Sequence, residues 1–241
     1  MTGDQIDGTI VYTSRDDHTP PAFAKMFAAL AQRHPTADLL HVVSNDIADA
    51  RNKAVLQARG AWIWFIDPDM AFAPTTIERL LAHDVDVVQP LCLMRHPPHV
   101  PILFLDSADV KAPAPIGLPR LVEVQSLGAG GTLYRFGVFQ HIAPPWFEGV
   151  LGREDTAFAA KLKAAGIPLY CDLGTPVGHL TPIYVWPTHL GGGEWRIRYD
   201  AMTGAVCQLP FQQGPRVRPA TDEEARHVLE QAMASAQRPP R

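Results

Sequence analysis

Runs of consecutive apolar residues alternate along the first part of the chain with segments whose apolar residues recur at helical spacing. The most apolar run, Trp62–Ile66, lies between Gly60 and Pro68 and is typical of a strand buried on both faces. Further strands are predicted at residues 8–13, 39–43 and 85–88, and helices at residues 21–32, 48–57 and 75–83. This alternation predicts an α/β fold in which helices cover both faces of a mostly parallel sheet.

The second half of the chain has a mixed pattern. Beyond Pro90, strands are predicted at residues 100–105, 121–125 and 167–172, and helices at residues 135–141 and 155–165. A β-hairpin is predicted at residues 195–199 and 205–209, and a capping box at Thr221 and Glu224 predicts a helix that ends near Ala234. We therefore expect a main sheet domain over residues 1–190. Residues 191–241 would form a C-terminal part with the hairpin, this helix and a partly disordered tail.

The composition is that of a globular protein with one main core. Of the 241 residues, 46% are hydrophobic and 19% are charged, which is enough for one substantial core. The formal net charge of −4 gives no electrostatic reason to expect a nucleic-acid or anionic-membrane surface. Three widely separated cysteines argue against a disulfide framework and against a zinc site. Without a basic leader segment or a run of 18 apolar residues, we expect a soluble, cytoplasmic protein with no membrane span.

Two carboxylates follow the most apolar strand directly. Asp67 and Asp69 are separated by Pro68 and lie at the predicted carboxyl end of Trp62–Ile66. In open α/β sheets ligands bind at this end of the strands. Two anions held together by a stiff turn repel each other unless a cation lies between them, and hard oxygen ligands suit Mg²⁺ or Mn²⁺. The alternative is a solvated turn, or Asp67 as a helix N-cap.

A second acidic pair, Glu154 and Asp155, lies at the predicted start of a helix. The helix dipole stabilises carboxylates there, so a structural role is also available. A glycine-rich segment, residues 128–131, precedes the pair, and small residues of this kind allow the backbone to approach a ligand closely. His179 follows the pair, and a neutral imidazole would complete an Asp-plus-His site for a divalent metal.

An ordered set of short motifs resembles the GT-A glycosyltransferases, in particular small stand-alone members of glycosyltransferase family 2. The motifs are Ala50-Arg51-Asn52, the Asp-x-Asp segment at Asp67 and Asp69, the glycines of residues 128–131, Pro144-Pro145-Trp146-Phe147, Glu154-Asp155 and Gly178-His179. The resemblance implies a GT-A fold, which is a Rossmann-like, mixed and mostly parallel sheet flanked by helices. It also implies a hexosyltransferase-type activity that uses a nucleotide-diphosphate sugar as the donor.

The resemblance further implies roles for individual residues. Asp67 would lie near the ribose and the metal, and Asp69 and His179 would ligate Mn²⁺ or Mg²⁺. Asp155 would be the base of an inverting transfer, with Glu154 as its rival. The residues implied to bind the donor, for which a UDP-sugar is expected, are Arg51, Asn52, Asp67, Gly130 and Trp146. Trp146 is the weakest of these, because an aromatic residue beside two prolines is more often packed in a core.

Two other functions stay open at this point. A metal-dependent nucleotidyltransferase would use a similar sheet, but it normally needs a glycine-rich, basic loop after its first strand, and residues 13–17 are acidic and lack glycine. A sugar- or nucleotide-binding module without turnover is the other alternative. The acceptor class is also open among glycan, lipid, protein and DNA. Compact enzymes of this kind occur in phages as well as in bacteria, so a modified DNA base in a phage-infected host is included among the acceptors.

Overall fold

The protein is described from a computed structural model over residues 6–15, 19–95, 101–105, 120–149, 153–180, 183–191, 194–201 and 206–210. The chain forms two compact units, Met1–Pro182 and Ile183–Arg241. The observed division precedes the one expected at residue 190, because strand Ile183–Gly191 pairs with Glu194–Ala201 of the second unit. The helix expected from Thr221 and the tail after it lie outside the described residues. Over the described part of the chain, no helix is both long and apolar enough to cross a membrane.

The first unit contains a seven-stranded sheet and a two-stranded ribbon. Its strands are β1 (Gly8–Ser14), β2 (Ala37–Val43), β3 (Trp62–Ile66), β4 (Met70–Ala71), β5 (Val87–Leu91), β6 (Leu121–Val124), β7 (Leu133–Arg135), β8 (Leu169–Pro176) and β9 (Gly178–His179). Its helices are α1 (Pro21–Arg33), α2 (Ile47–Gln57), α3 (Thr76–Leu81), α4 (Val138–His141) and α5 (Glu154–Ala164). The sheet order is β2, β1, β3, β7, β5, β8, β6, and only β7 and β6 run against the other strands.

The second unit contains a three-stranded antiparallel sheet. Its strands are β10 (Ile183–Gly191), β11 (Glu194–Ala201) and β12 (Val206–Pro210), in that spatial order. Strands β11 and β12 form the hairpin expected from the sequence, with Tyr199 opposite Cys207.

The predicted α/β class, with a mixed and mostly parallel sheet, is confirmed. Two predicted elements differ in the structure, and the first is the helix at residues 135–141, because Arg135 ends a central strand. Leu133 and Tyr134 are fully buried between β3 and β5, and only the short helix α4 follows. Their burial depends on partners distant in sequence, which a three-residue pattern cannot reveal. The strand expected at residues 100–105 also differs, since its described residues form only isolated bridges at Pro101 and Phe104.

Strand β3 separates two hydrophobic cores on opposite faces of the sheet. Ile63 and Phe65 point into the core that contains residues of α2, α4 and α5. Trp62, Trp64 and Ile66 point into the core that contains residues of α1 and α3. All five side chains are buried, as expected when successive residues of a strand face opposite sides. The central strand is therefore held on both faces, and its carboxyl end, where Asp67 follows, has a fixed position.

The ribbon of β4 and β9 continues from this end. Met70 pairs with His179 across the ribbon, and the amide of Leu180 donates to the carbonyl oxygen of Asp69 at 2.6 Å. Residues more than one hundred positions apart in sequence thus become neighbours. The ribbon brings the side chains of Asp69 and His179 to the same edge of the sheet.

A buried carboxylate stabilises the opposite half of the sheet. Asp172 in β8 is fully buried and accepts from Thr175 Oγ1 at 2.7 Å and from the Gly174 amide at 2.8 Å. Arg120 Nε lies 3.2 Å from Oδ1, and His83 Nε2 lies 2.9 Å from Oδ2. Although burial alone would raise it, the hydrogen bonds from Arg120, Thr175 and His83 lower the pKa of Asp172 to about 2.

We expect Asp172→Asn to lower the free energy of unfolding at pH 7 by about 2 to 3 kcal/mol. The pKa of Asp172 is lower in the folded protein than the value of about 3.9 in unfolded chains. Its charged form therefore stabilises the fold above about pH 4, and this contribution is lost as the pH falls through about 2. Urea unfolding at pH 7 and pH 3 should show a smaller gap between parent and variant at pH 3. An equal gap at both pH values would contradict this assignment.

Candidate functional site

A cavity of about 450 Å³ opens at the carboxyl ends of the first three parallel strands. Because β1, β2 and β3 run in the same direction, their ends place polar residues side by side at one edge of the sheet. The lining residues are Thr13, Ser14, Arg15, Ser44, Ile47, Arg51, Asp67, Pro68, Asp69, Arg95, Glu154 and Asp155. Both acidic pairs predicted from the sequence therefore line a single cavity, which we call the first cavity.

Arg51 connects the two acidic pairs beneath the first cavity. Helix α2 carries this side chain, which is 3% exposed, into the space between β3 and α5. Its guanidinium donates to Asp67 Oδ1 at 3.2 Å and to Glu154 Oε1. The same guanidinium lies 5.9 Å from the centre of the Phe147 ring. Arg51 thus holds the carboxylates of Asp67 and Glu154 in fixed positions.

The two members of the second acidic pair have different environments. Glu154 is buried and paired with Arg51, whereas Asp155 is partly exposed and lines the cavity. Burial raises the pKa of both carboxyl groups, and the charge of Arg51 opposes the rise. Asp155 Oδ1 accepts from the amide of Thr156 at 2.7 Å. Both residues line the cavity, and Asp155 is the more exposed of the two.

Asp69 lines the first cavity, and His179 of β9 lies beside its carboxylate. His179 Nε2 lies 3.4 Å from Asp69 Oδ2, and His179 Nδ1 lies 3.0 Å from the carbonyl oxygen of Leu93. Hydrogen bonds with Asp69 and then with Cys92 raise the pKa of His179 to about 10, although burial opposes this. Arg95 also pairs with Asp69 Oδ2. Within the described residues, no group of three or more His, Cys, Asp or Glu side chains could hold a metal ion.

The glycine-rich segment packs directly against the first acidic pair. A Cβ at Gly130 would overlap Asp67 Oδ2 and lie 3.0 Å from Met70 Sδ, so the segment can reach Asp67 only with glycine there. Gly131 has a φ of +87°, which favours glycine, and its amide donates to the carbonyl oxygen of Phe65 at 2.7 Å. Gln89 accepts from the amide of Gly128 at 3.1 Å. The lack of a side chain at Gly130 therefore leaves space for the carboxylate of Asp67.

Asn52 and Trp146, which the resemblance implies in donor binding, make hydrogen bonds within the fold. Asn52 Oδ1 accepts from the amides of Trp146 and Phe147, both at 3.0 Å, and Nδ2 donates to the carbonyl oxygen of Phe147 at 2.7 Å. Trp146 is buried, and its indole nitrogen donates to the carbonyl oxygens of Phe139 and Ile142, each at 2.9 Å. Neither Asn52 nor Trp146 lines the first cavity. They fix the loop that packs against Arg51.

A second cavity, of about 270 Å³, adjoins the first and shares Arg95 and Asp155 with it. Its lining residues are Met94, Arg95, Ile102, Phe104, Leu127, Gly128, Asp155, Thr156 and His179. Most of these are apolar, in contrast to the polar first cavity. Asp155 therefore lies on the boundary between a polar space and a mainly apolar one.

Several lining residues were missed in the sequence analysis. The residues at the carboxyl ends of β1 and β2 are Thr13, Ser14 and Ser44. Both strands were predicted, and ligands of open α/β sheets bind at these ends, so the three residues could have been identified from the sequence. Arg15 and Arg95 carried no motif. Their positions depend on contacts with residues distant in the chain, as in the pairing of Arg95 with Asp69, and no local pattern encodes that.

Residues 14–87 match the family model of glycosyl transferase family 2. This match confirms the predicted resemblance and the prediction of a glycosyltransferase. The matched segment includes Arg51, Asp67 and Asp69, whereas Asp155 and His179 lie beyond it. The roles of all these residues stay predictions. No curated protein matches the chain.

Three solved structures resemble the chain at low identity. The crystal structure of A197 from STIV is 14% identical with a TM-score of 0.46, and the match covers 88% of this chain and 98% of that one. A crystal structure of S. aureus TarS is 14% identical with a TM-score of 0.45, and one of TarS 1-349 is 10% identical with the same TM-score. Each TarS match covers 71% of this chain, which spans 36% of the first TarS chain and 60% of the second.

We expect Asn52→Ala to lower the free energy of unfolding by about 1 to 3 kcal/mol, because two buried backbone amides lose their acceptor. Because Asn52 does not line the first cavity, affinity for a UDP-sugar, the donor expected from the sequence, should change by less than about twofold. Urea unfolding and calorimetric titration measure the two quantities. Asn52→Asp is the comparison variant: it keeps an acceptor oxygen for both amides but loses the donor to the carbonyl oxygen of Phe147, so its stability should lie between those of Asn52→Ala and the parent. Unchanged stability with lost affinity would instead support the donor-binding role of Asn52.

Proposed function

We propose that the chain is a metal-dependent, inverting glycosyltransferase that takes its sugar from a nucleotide-diphosphate sugar. The observation that carries the proposal is the single cavity lined by both acidic pairs. Sugar transfer needs two kinds of charged group. A cation stabilises the negative charge that develops on the departing diphosphate, and a base accepts the proton that the acceptor hydroxyl loses. Asp69 with His179 and Asp155 are suited to these two tasks.

Asp69 and His179 are the residues proposed to hold the divalent cation. A carboxylate and an imidazole are ligand types that Mn²⁺ accepts, and Mg²⁺ commonly takes one or two carboxylates together with substrate phosphates and water. The Nδ1–H group of His179 donates to the carbonyl of Leu93, which is the kind of second contact that orients a metal-binding imidazole. When bound, the metal would stabilise the charge on the leaving diphosphate as a Lewis acid.

Asp155 is the proposed general base. A base must be able to reach the acceptor hydroxyl, and Asp155 borders both cavities while Glu154 is buried against Arg51. Burial raises the pKa of the Asp155 carboxyl, which makes its carboxylate a stronger proton acceptor. An acceptor in the second cavity and a donor in the first would meet at this residue. Attack from the side opposite the leaving group gives inversion at the anomeric carbon.

The donor is proposed to be a UDP-sugar held by the floor of the first cavity. The hydroxyl groups of Thr13, Ser14 and Ser44 lie where strands β1 and β2 end, and they could contact the nucleotide. The donor class can be tested by thermal shift with UDP-, GDP- and TDP-sugars in the presence of Mn²⁺, because a ligand of the native state raises its stability. Glycan, lipid, protein and modified DNA base are the acceptor classes to screen with that donor.

Substitutions of Asp69 and of Asp155 should affect donor binding and turnover differently. Asp69→Asn should abolish Mn²⁺-dependent binding of the donor, because it removes a proposed metal ligand. Asp155→Asn should leave the dissociation constant of the donor nearly unchanged and lower turnover by about 10²- to 10⁴-fold, since a general base acts only in the transition state. Calorimetric donor binding and the rate of UDP release from the sugar nucleotide measure both effects without a known acceptor.

Asp84→Asn is the matched control, because Asp84 is an exposed carboxylate that pairs with Arg135 and does not line the first cavity. It should bind and turn over the donor like the parent. If Asp155→Asn loses as much donor affinity as Asp69→Asn does, Asp155 binds the donor and is not the general base. Full activity of Asp69→Asn, or full activity in excess EDTA, would refute the metal role. Pyrophosphate release from a nucleoside triphosphate and a sugar phosphate would favour the nucleotidyltransferase.

A further inference from the structure

Arg95 holds a position that the proposed function does not explain. It follows β5, lies where the first and second cavities meet, and pairs with Oδ2 of Asp69. His179 Nε2 approaches the same oxygen at 3.4 Å. One carboxylate oxygen thus has two cationic or potentially cationic neighbours.

A guanidinium and a divalent cation compete for such an oxygen. Both bind through the lone pairs of Asp69 Oδ2, and two positive charges a few ångströms apart repel each other even in water. The Arg95 side chain is 45% exposed, so it can leave the carboxylate without unfolding its surroundings. Partly exposed ion pairs are weak, which means that a divalent cation can displace the guanidinium.

We propose that Arg95 occupies the cation position at Asp69 in the metal-free protein and that a divalent metal must displace it. The inference rests on the proposed role of Asp69 as a metal ligand. Arg95 therefore lowers the affinity for metal in the absence of donor.

A purely structural ion pair makes a different prediction. If Arg95 only tied its loop to the sheet edge, its removal would lower stability or change nothing, and it would not improve metal binding. A gain in metal affinity after removal of a side chain is therefore the diagnostic result.

The experiment is calorimetric titration of the full chain with Mn²⁺ in the absence of any nucleotide, for the parent, Arg95→Ala, Arg95→Gln and Asp69→Asn. Arg15→Ala is the matched control, because Arg15 is an exposed arginine that lines the same cavity, and its removal changes the net charge equally. We expect Arg95→Ala and Arg95→Gln to bind Mn²⁺ about tenfold more tightly than the parent, since both the competing ion pair and its repulsion are lost. Arg15→Ala should gain clearly less, and Asp69→Asn should lose binding.

Equal or weaker Mn²⁺ binding in both Arg95 variants would overturn the inference, as would an equal gain in Arg15→Ala. If the Arg95 variants match the parent while Asp69→Asn loses binding, the inference fails and the proposed metal site stands. If Asp69→Asn binds Mn²⁺ like the parent, both fail. If no variant binds Mn²⁺ without nucleotide, the inference fails, and the metal role of Asp69 is decided by Mn²⁺-dependent donor binding. Thermal unfolding of each variant confirms that the titrated proteins are folded.

Discussion

The arrangement of the candidate site depends on one buried cation, the guanidinium of Arg51. It contacts Asp67 at the end of β3 and Glu154 at the start of α5, two residues brought together from distant parts of the chain. Taking the charges of Arg51 and Glu154 out of water is costly, and such a network need not stabilise the fold in total. The network instead determines where the carboxylates lie, because the buried guanidinium holds the side chains of Asp67 and Glu154 close to each other. With Arg51 in place, Asp155 next to Glu154 and Asp69 next to Asp67 line a single cavity.

The rest of the fold supports this arrangement from two sides. On one side, Asn52 of α2 accepts from the backbone amides of Trp146 and Phe147 and fixes their loop. The ring of Phe147 lies against the guanidinium of Arg51. On the other, the glycine at position 130 lets the loop before β7 approach Asp67 closely. Both contacts involve motifs that the family resemblance pointed to. In the structure the Asn52 amide pairs with backbone amides of this loop, and the lack of a side chain at Gly130 allows the close approach to Asp67.

Much of the fold could be predicted from the sequence, and the site only in part. The β1 to β3 segment has strong local signals, since the five apolar residues of Trp62–Ile66 and the helical spacing on either side leave few alternatives. The exact bounds of β3 were predicted for this reason. The strand Leu133–Arg135 was missed because its pairing with β3 and β5 is decided by distant residues. The same limit applies to the site: the acidic residues could be listed in advance, whereas the Arg51 bridge and the Arg95 contact depend on packing between elements.

A double-mutant cycle on the unfolding free energy tests most directly whether Arg51 is the organising interaction. Urea unfolding of the parent, Arg51→Met, Glu154→Gln and the double variant gives the coupling between the two side chains, free of their separate desolvation costs. We predict a coupling free energy above about 1 kcal/mol, as found for contacting charged residues that share a buried network. Additive effects of the two substitutions, with a coupling close to zero, would contradict the central role assigned to Arg51.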